Sequence, residues 1–173
     1  MIRHCLAIAI VALMSGKASA DAPLPPPKTK VICSPSDKFC AIADLEANTT
    51  YLRVKATGEL LWSIPGWHRS IFVSDDGQTV AIGYKGLNLL PRNVTLGEPV
   101  IHLYKQGELV RTVLLGDIFG NVSELRRTVS HYAWGHVDGF NRANQLVVVL
   151  LDGNHIAFSA NTGEREEVRH DPN

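Results

Sequence analysis

Hydrophobic and polar residues alternate in short runs along most of the chain. From Val31 onward, β-branched and aromatic stretches are separated by Gly, Asn and Asp. No window of about eleven residues or more keeps the period of an amphipathic helix, and the best helical candidate, residues 121–127, is short. The pattern therefore predicts an all-β protein.

The runs repeat along the chain. Residues 31–42 align with residues 71–82, so that the serine of the first turn and an Ala-Ile pair recur forty positions later. Residues 140–149 form a looser third copy. Each copy has the pattern strand, polar turn, strand, which predicts a β-hairpin.

A second hairpin follows each of these copies. Its turns are residues 56–59, 105–108 and 161–164, each containing Gly-Glu between alternating strands. Glycine supplies the positive φ that such tight turns require. The repeating unit is therefore two hairpins, or four strands, and repeats of about 40 residues with four strands are typical of propeller blades.

Two of these stretches resemble those of a known family. Residues 74–82 (SDDGQTVAI) are similar to the turn and inner strand of WD40-type or PQQ-type β-propeller blades, and residues 57–62 (TGELLW) are similar to their outer hairpin. The resemblance covers most of residues 31–169 and implies three four-stranded antiparallel blades. Closed propellers typically have about four to eight blades. We therefore expect an incomplete or open propeller-like arrangement, either an open stack or one that a partner completes.

The first 20 residues have the organisation of a cleavable export signal. A short basic start at Arg3 and His4 precedes an apolar run over residues 5–14, and Ala18-Ser19-Ala20 supplies the small residues that a signal peptidase needs. The apolar run is well short of the roughly 20 residues that span a bilayer as a helix. We expect cleavage before Asp21 and a periplasmic or secreted protein.

The rest of the chain divides into a lead and one domain. Residues 21–30 (DAPLPPPKTK) form a proline-rich lead, expected to be an extended, largely solvated spacer, and residues 31–173 a single all-β domain. Without the signal, 15 basic residues face 17 acidic ones and no basic cluster remains, which argues against nucleic acid as a partner. No later run is long and apolar enough to predict membrane insertion.

Two cysteines, Cys33 and Cys40, remain after signal cleavage. An even number of cysteines in an exported protein favours a disulfide, here across the first hairpin. A zinc site would need about two further ligands nearby, and none flanks this pair. The glycines form no phosphate-cradling loop, so the sequence predicts neither a metal nor a cofactor.

No catalytic residue is predicted. The chain lacks a Gly-x-Ser-x-Gly elbow, and Ser130 is adjacent in sequence to His131, which is poor geometry for a nucleophile and its base on a strand. A hydrolase built around His131 is the alternative from the enzyme class.

Two insertions, residues 85–99 and 115–127, interrupt the repeat and carry apolar groups where a plain turn would suffice. Long loops on a rigid scaffold often bind partners, and aromatic and arginine side chains often anchor interfaces. The predicted partner-binding residues are Leu87, Leu89, Leu90, Arg92, Ile118, Phe119, Trp67, His131 and Tyr132. The insertions could equally fold back and cap the open end of a sheet.

Together these features predict a non-catalytic periplasmic or secreted protein-binding domain. Its partner would be another exported or envelope protein. The most specific version is an inhibitor, an immunity protein that plugs the active site of a cell-wall-degrading toxin such as a peptidoglycan hydrolase. The alternative is an envelope assembly or enzyme-accessory docking module.

Overall fold

Polar turns divide the chain into short antiparallel strands, as the alternating pattern predicts. The computed structural model describes residues 24–169. Its strands are β1 (Lys30–Cys33), β2 (Phe39–Asp44), β3 (Thr49–Val54), β4 (Leu60–Pro65), β5 (Ile71–Val73), β6 (Thr79–Gly83), β7 (Leu89–Leu90), β8 (Pro99–Lys105), β9 (Glu108–Leu114), β10 (Arg126–Arg127), β11 (Tyr132–Ala133), β12 (Gly135–Phe140), β13 (Gln145–Leu150), β14 (His155–Ser159) and β15 (Arg165–Glu166). Two 3₁₀ turns, Leu115–Asp117 and Val122–Glu124, complete the list.

The strands form three four-stranded antiparallel sheets and one small sheet. Blade 1 is β1-β2-β3-β4, blade 2 is β5-β6-β8-β9, and blade 3 is β12-β13-β14-β15. The small sheet has the order β10-β11-β7. The prediction of three four-stranded, blade-like repeats is therefore confirmed, and the blades do not close into a ring.

The repeat alignment also gives the correct strand register. Cys33 lies opposite Cys40 in blade 1, and Val73 lies opposite Val80 at the equivalent positions of blade 2. In blade 2, Val73 and Val80 are 2% and 1% exposed and pack against blade 1.

The turns of the three inner hairpins are joined to one another. The Ser36 backbone N–H donates to Asp75 Oδ1 (2.6 Å), and Asn144 Nδ2 donates to Asp76 Oδ2 (2.9 Å). Asp76 also caps its own turn, since its Oδ1 accepts from Ser74 Oγ and from the Gln78 N–H. The two aspartates therefore link the inner hairpin turns of neighbouring blades.

The blades stack through two apolar cores. One lies between blades 1 and 2 and contains Leu52, Ile64 and Ile82. The larger one lies between blades 2 and 3 and includes Leu103 and Phe158, together with residues of the small sheet and both insertions. Blade 2 is thus covered on both faces.

The two ends of the stack differ. On blade 1 the outer face carries Val31, which is 61% exposed, next to Ile42 and Tyr51, so this face is open. Residues 166–169 cross back to the inner hairpin of blade 3, where Gln145 Nε2 donates to the Glu167 carbonyl (2.9 Å) and Gln145 Oε1 accepts from the Arg169 N–H (2.9 Å). Residues 166–169 therefore brace the inner hairpin of blade 3.

Both insertions fold back onto the core, which corrects part of the predicted binding surface. Leu90, Ile118 and Phe119 are 0%, 7% and 8% exposed and pack in the core between blades 2 and 3. Because their apolar surface is already covered, these three side chains cap the sheets and are not available to a partner. The helical candidate over residues 121–127 shortens to the 3₁₀ turn Val122–Glu124, capped by Asn121.

The predicted export signal lies outside the described residues. Among residues 24–169, no helix has the length and apolar character needed to cross a membrane. Residues 24–29 form neither a helix nor a strand before β1, and they are held at two points. Thr29 Oγ1 accepts from the Leu45 N–H (3.0 Å), and the Lys28 carbonyl accepts from Trp67 Nε1 (2.9 Å).

A disulfide joins Cys33 and Cys40, whose Cα atoms are 3.9 Å apart. We expect the double variant Cys33→Ala, Cys40→Ala to lose about 2 kcal/mol of unfolding free energy, because the bridge restricts a short loop of the unfolded chain. Urea titration of the variant, the native protein and the reduced native protein measures this loss. The reduced protein is the control for side-chain packing, and an unchanged midpoint in both cases would contradict the expectation.

Candidate binding cleft

A cavity lies beside the connection between blades 1 and 2, at the end of the stack opposite the inner hairpin turns. We call it the cleft; its volume is about 650 Å³. Its walls come from the β4–β5 connection, the end of β6 and the start of β8. The polar and aromatic side chains that line it are Trp67, His68, Tyr84, Glu98, His102 and Tyr104.

A short turn positions Trp67 and His68. Gly66 has φ +97°, a conformation that favours glycine, and its N–H donates to the Asn48 carbonyl (2.8 Å). Asn48 Oδ1 also accepts from the Trp67 N–H (3.0 Å), and His68 Nε2 lies 3.1 Å from the Pro65 carbonyl oxygen. Blade 1 thus fixes this wall of the cleft.

Burial shifts the titration of several groups in the cleft. It lowers the pKa of His102 below its usual value, and it lowers that of His68, to which His102 adds a smaller effect of the same sign. Burial and the neighbouring Glu98 carboxylate raise the pKa of Tyr84. The cleft therefore favours neutral imidazoles and a neutral phenol at pH 7.

This shift predicts a pH dependence of stability. Because the pKa of each imidazole is lower in the folded state than its unfolded value of about 6.5, the folded state is favoured above that pH. The stabilisation is lost as the pH falls below about 6.5, where the unfolded chain binds the protons first. Urea unfolding at pH 7 and pH 5.5 should give a smaller difference for His68→Gln, His102→Gln than for the native protein. The exposed His155→Gln is the control, and equal differences in all three proteins would refute the assignment.

A second cavity adjoins the cleft. This side pocket has a volume of about 300 Å³ and shares Gly83 and Tyr84 with the cleft. Its other walls include Phe72, Trp134 and the exposed turn at Leu87. Groups from blade 2, from blade 3 and from the connection between blades 1 and 2 therefore meet at one end of the molecule.

Leu87 is at the tip of a firmly held turn. Its backbone has φ +60°, its N–H donates to the Tyr84 carbonyl (2.9 Å), and its carbonyl accepts from Trp134 Nε1 (3.0 Å). A left-handed backbone is unfavourable for a leucine. The side chain is nevertheless 40% exposed, next to the side pocket. The turn thus presents an apolar side chain to solvent at a conformational cost.

The other predicted binding residues lie in separate parts of the structure. Trp67 lines the cleft, with the Arg69 guanidinium 5.3 Å from its ring. Arg92 lies 5.3 Å from the Tyr132 ring and donates to the carbonyls of Thr128 and Val129. Arg92 and Tyr132 therefore support the loop that carries His131, on a different part of the surface. Leu89 is half-buried in the small sheet, opposite Ala133.

His131 makes a local contact with its neighbour. Ser130 Oγ and His131 Nδ1 are 2.9 Å apart, within a bend at the protein surface. This hydrogen bond joins the side chains of two adjacent residues of the same loop. Neither residue lines the cleft or the side pocket.

Apart from Trp67, the residues of the cleft could not be predicted as a site from the sequence. His68, Tyr84, Glu98 and His102 are distant in sequence and belong to no motif. The available signal was the repeat itself, since aligned hairpins place the β4–β5 connection and the start of β8 at the same end of neighbouring blades.

No protein-family model matches the chain, and no curated protein matches it. Solved structures similar to it include a eukaryotic initiation factor (14% identity, TM-score 0.38), covering 80% of this chain and 34% of that one. The Cps50 (Swd1) β-propeller domain of Myceliophteria thermophila is 12% identical (TM-score 0.37, 80% and 42% covered). BamB of Moraxella catarrhalis is 16% identical (TM-score 0.31, 82% and 51% covered). The chain is blade-like in fold, as its three four-stranded antiparallel sheets show. It spans from about a third to half of the length of these proteins.

Proposed function

We propose that this protein is a non-catalytic protein-binding domain that acts outside the cytoplasm, in the periplasm or after secretion. The export-type pattern of residues 1–20 and the disulfide Cys33–Cys40 support an oxidising compartment. Residues from blade 2, from blade 3 and from the connection between blades 1 and 2 converge on the cleft, the side pocket and the Leu87 turn, and this convergence supports binding at that end.

The observation that carries the proposal is the Leu87 turn. A left-handed leucine costs free energy, and such strain tends to persist where function requires it. The turn is braced by the buried Trp134, so its tip needs little ordering when a partner binds. A rigid, exposed apolar side chain next to two cavities suits the centre of a protein interface.

In its most specific form, the proposal is that the domain inhibits a cell-wall-degrading toxin as an immunity protein. Leu87 takes the role of the group that enters the partner's active-site cleft. It replaces the buried Leu90, Ile118 and Phe119 in that role. The neighbouring Lys85 and Arg69 at the cleft would face the carboxylates on which many glycan-cleaving enzymes depend.

A second candidate, a docking module in envelope assembly, is favoured by the open face of blade 1. Val31 is 61% exposed there, whereas the aligned Ile71 of blade 2 is 4% exposed against its neighbour. A β-sheet of another envelope protein could pack on this face as blade 1 packs on blade 2. The two candidates place the contact on different surfaces, so one set of variants separates them.

Leu87→Asn should weaken partner binding without destabilising the fold. Asparagine tolerates the left-handed backbone, so we expect the unfolding free energy to stay constant or rise by up to about 1 kcal/mol. We expect affinity to fall about tenfold or more, the usual effect of losing an anchor. Binding and inhibition are measured against a panel of purified exported amidases and muramidases.

Leu109→Asn is the matched control, since Leu109 is 52% exposed on β9 at the edge of blade 2. It should bind like the native protein. If Leu87→Asn also binds and inhibits at full strength, the Leu87 turn is not the contact. Loss of binding in Val31→Ser alone would support the docking module instead, and native protein that inhibits none of the enzymes would overturn the inhibitor version.

A further inference from the structure

The lead has a conformation that its own sequence imposes. Leu24, Pro25 and Pro26 each precede a proline, which restricts them to extended backbone, and each proline fixes its own φ. A Leu-Pro-Pro-Pro segment is therefore a ready-made polyproline II helix, with no internal hydrogen bonds and with its carbonyls available to donors. Little conformational entropy is lost when such a segment binds.

The structure places this segment against the cleft. Leu24 forms part of the cleft wall. Trp67, which also lines the cleft, donates its indole N–H to the Lys28 carbonyl (2.9 Å). The segment between these contacts, residues 25–27, runs along the surface with exposed side chains. Leu24 and the Lys28 carbonyl, at the two ends of this segment, thus both contact residues or walls of the cleft.

The chemistry of the cleft suits such a ligand. It is lined by the aromatic residues Trp67, Tyr84 and Tyr104 and by the apolar residues Ile82 and Val100. Proline rings pack on flat aromatic faces, and grooves that bind polyproline II segments are lined in this way. An indole N–H adds a donor for one of the free carbonyls of the ligand.

We propose that the cleft is a receptor groove for proline-rich segments in the polyproline II conformation, and that residues 24–28 are its intramolecular ligand. This rests on the proposed protein-binding function and names the chemistry of the partner segment, a proline-rich stretch of another exported protein. Because a short tether gives the lead an effective concentration of the order of millimolar, a partner segment must compete with it. A partner segment therefore binds the cleft only if its affinity is high enough to displace the lead.

The indole N–H signals in a ¹H–¹⁵N NMR spectrum test the intramolecular contact. The protein has three tryptophans, so three indole signals are expected, and Trp67→Phe identifies the one from Trp67. In a variant with glycine at positions 25, 26 and 27, the Trp67 signal should move and the signals of Trp62 and Trp134 should not. An unchanged Trp67 signal would overturn the role of the lead.

A synthetic peptide with the sequence of residues 21–30 tests the groove itself. Added to the glycine variant, it should return the Trp67 signal to its native position. The native protein should need at least about tenfold more peptide, because its own lead competes. Trp67→Phe combined with the glycine substitutions has no Trp67 signal, so its peptide affinity is measured by calorimetry beside that of the glycine variant. It should be about fivefold weaker, since one hydrogen bond is lost and an aromatic ring is kept.

The control peptide carries serine in place of the four prolines. Equal binding of both peptides, or no binding of either, would overturn the groove. That result is separable from the proposed function, because the Leu87→Asn comparison on the amidase and muramidase panel does not depend on the lead. If the protein binds the proline peptide but none of the enzymes in the panel, the groove proposal stands and the proposal of a toxin inhibitor is wrong.

Discussion

Replacing Ile118 and Phe119 with serine is expected to destabilise the domain by about 4 kcal/mol or more. Truncating a buried phenylalanine alone typically costs about 3–5 kcal/mol, and the second substitution adds a further cavity and a buried hydroxyl. Both side chains pack in the core with Trp134, behind the 3₁₀ turn Leu115–Asp117. Domains of this kind are stable by only about 5–15 kcal/mol, so the variant should be largely unfolded at modest urea concentrations.

Thermal and urea unfolding followed by tryptophan fluorescence measure the effect. The matched control is Val129→Ser, because Val129 is 76% exposed in the next loop and should change stability little. If the double variant melted like the native protein, the second insertion would be a separable surface loop, and its burial against Trp134 would be wrong.

Gly135→Ala is expected to cost about 3 kcal/mol or more. Gly135 has φ +138°, and an added Cβ would collide with the Val149 carbonyl oxygen on the neighbouring strand and lie 3.2 Å from the Leu150 Cα. Both obstacles are backbone atoms of the central strand of blade 3, so they cannot move aside as a flexible side chain can. Backbone strain of this kind costs about 1–3 kcal/mol before the clash is counted.

Gly153→Ala separates the strain from the clash. Gly153 also has positive φ (+87°), but nothing lies within 4 Å of its added Cβ. It should therefore lose only about 1–2 kcal/mol. Comparison of the two urea midpoints gives the contribution of the contact with blade 3, and equal midpoints would mean that β12 and β13 are not held as closely as the structure shows.

The blades could be predicted from sequence because their signals are local. A turn such as residues 74–79 specifies its own hairpin, and the forty-residue repeat then fixed the register of Cys33 with Cys40 before any contact was known. Which surfaces remain open could not be predicted in this way. That depends on which blades approach each other, and alternation along a strand does not encode it.

The insertions show this limit most clearly. Leu89 and Ala133, more than forty residues apart, pair in the small sheet, and Ala133 pairs in turn with Arg126. No repeat or motif links these short strands, so their apolar residues looked like free anchors when they were in fact core. Leu87, in the same insertion, differs only because its left-handed backbone turns it outward.

The disulfide lies in blade 1, an end blade that packs against a neighbouring sheet on one face only. Amide hydrogen exchange should therefore be fastest among the strands of blade 1 and slowest in blade 2, which is covered on both faces. When blade 1 opens, the Cys33–Cys40 bridge keeps β1 and β2 linked, so re-docking starts from a paired hairpin rather than from a free chain. The disulfide thus protects an end blade whose outer face is not covered by any of the described sheets.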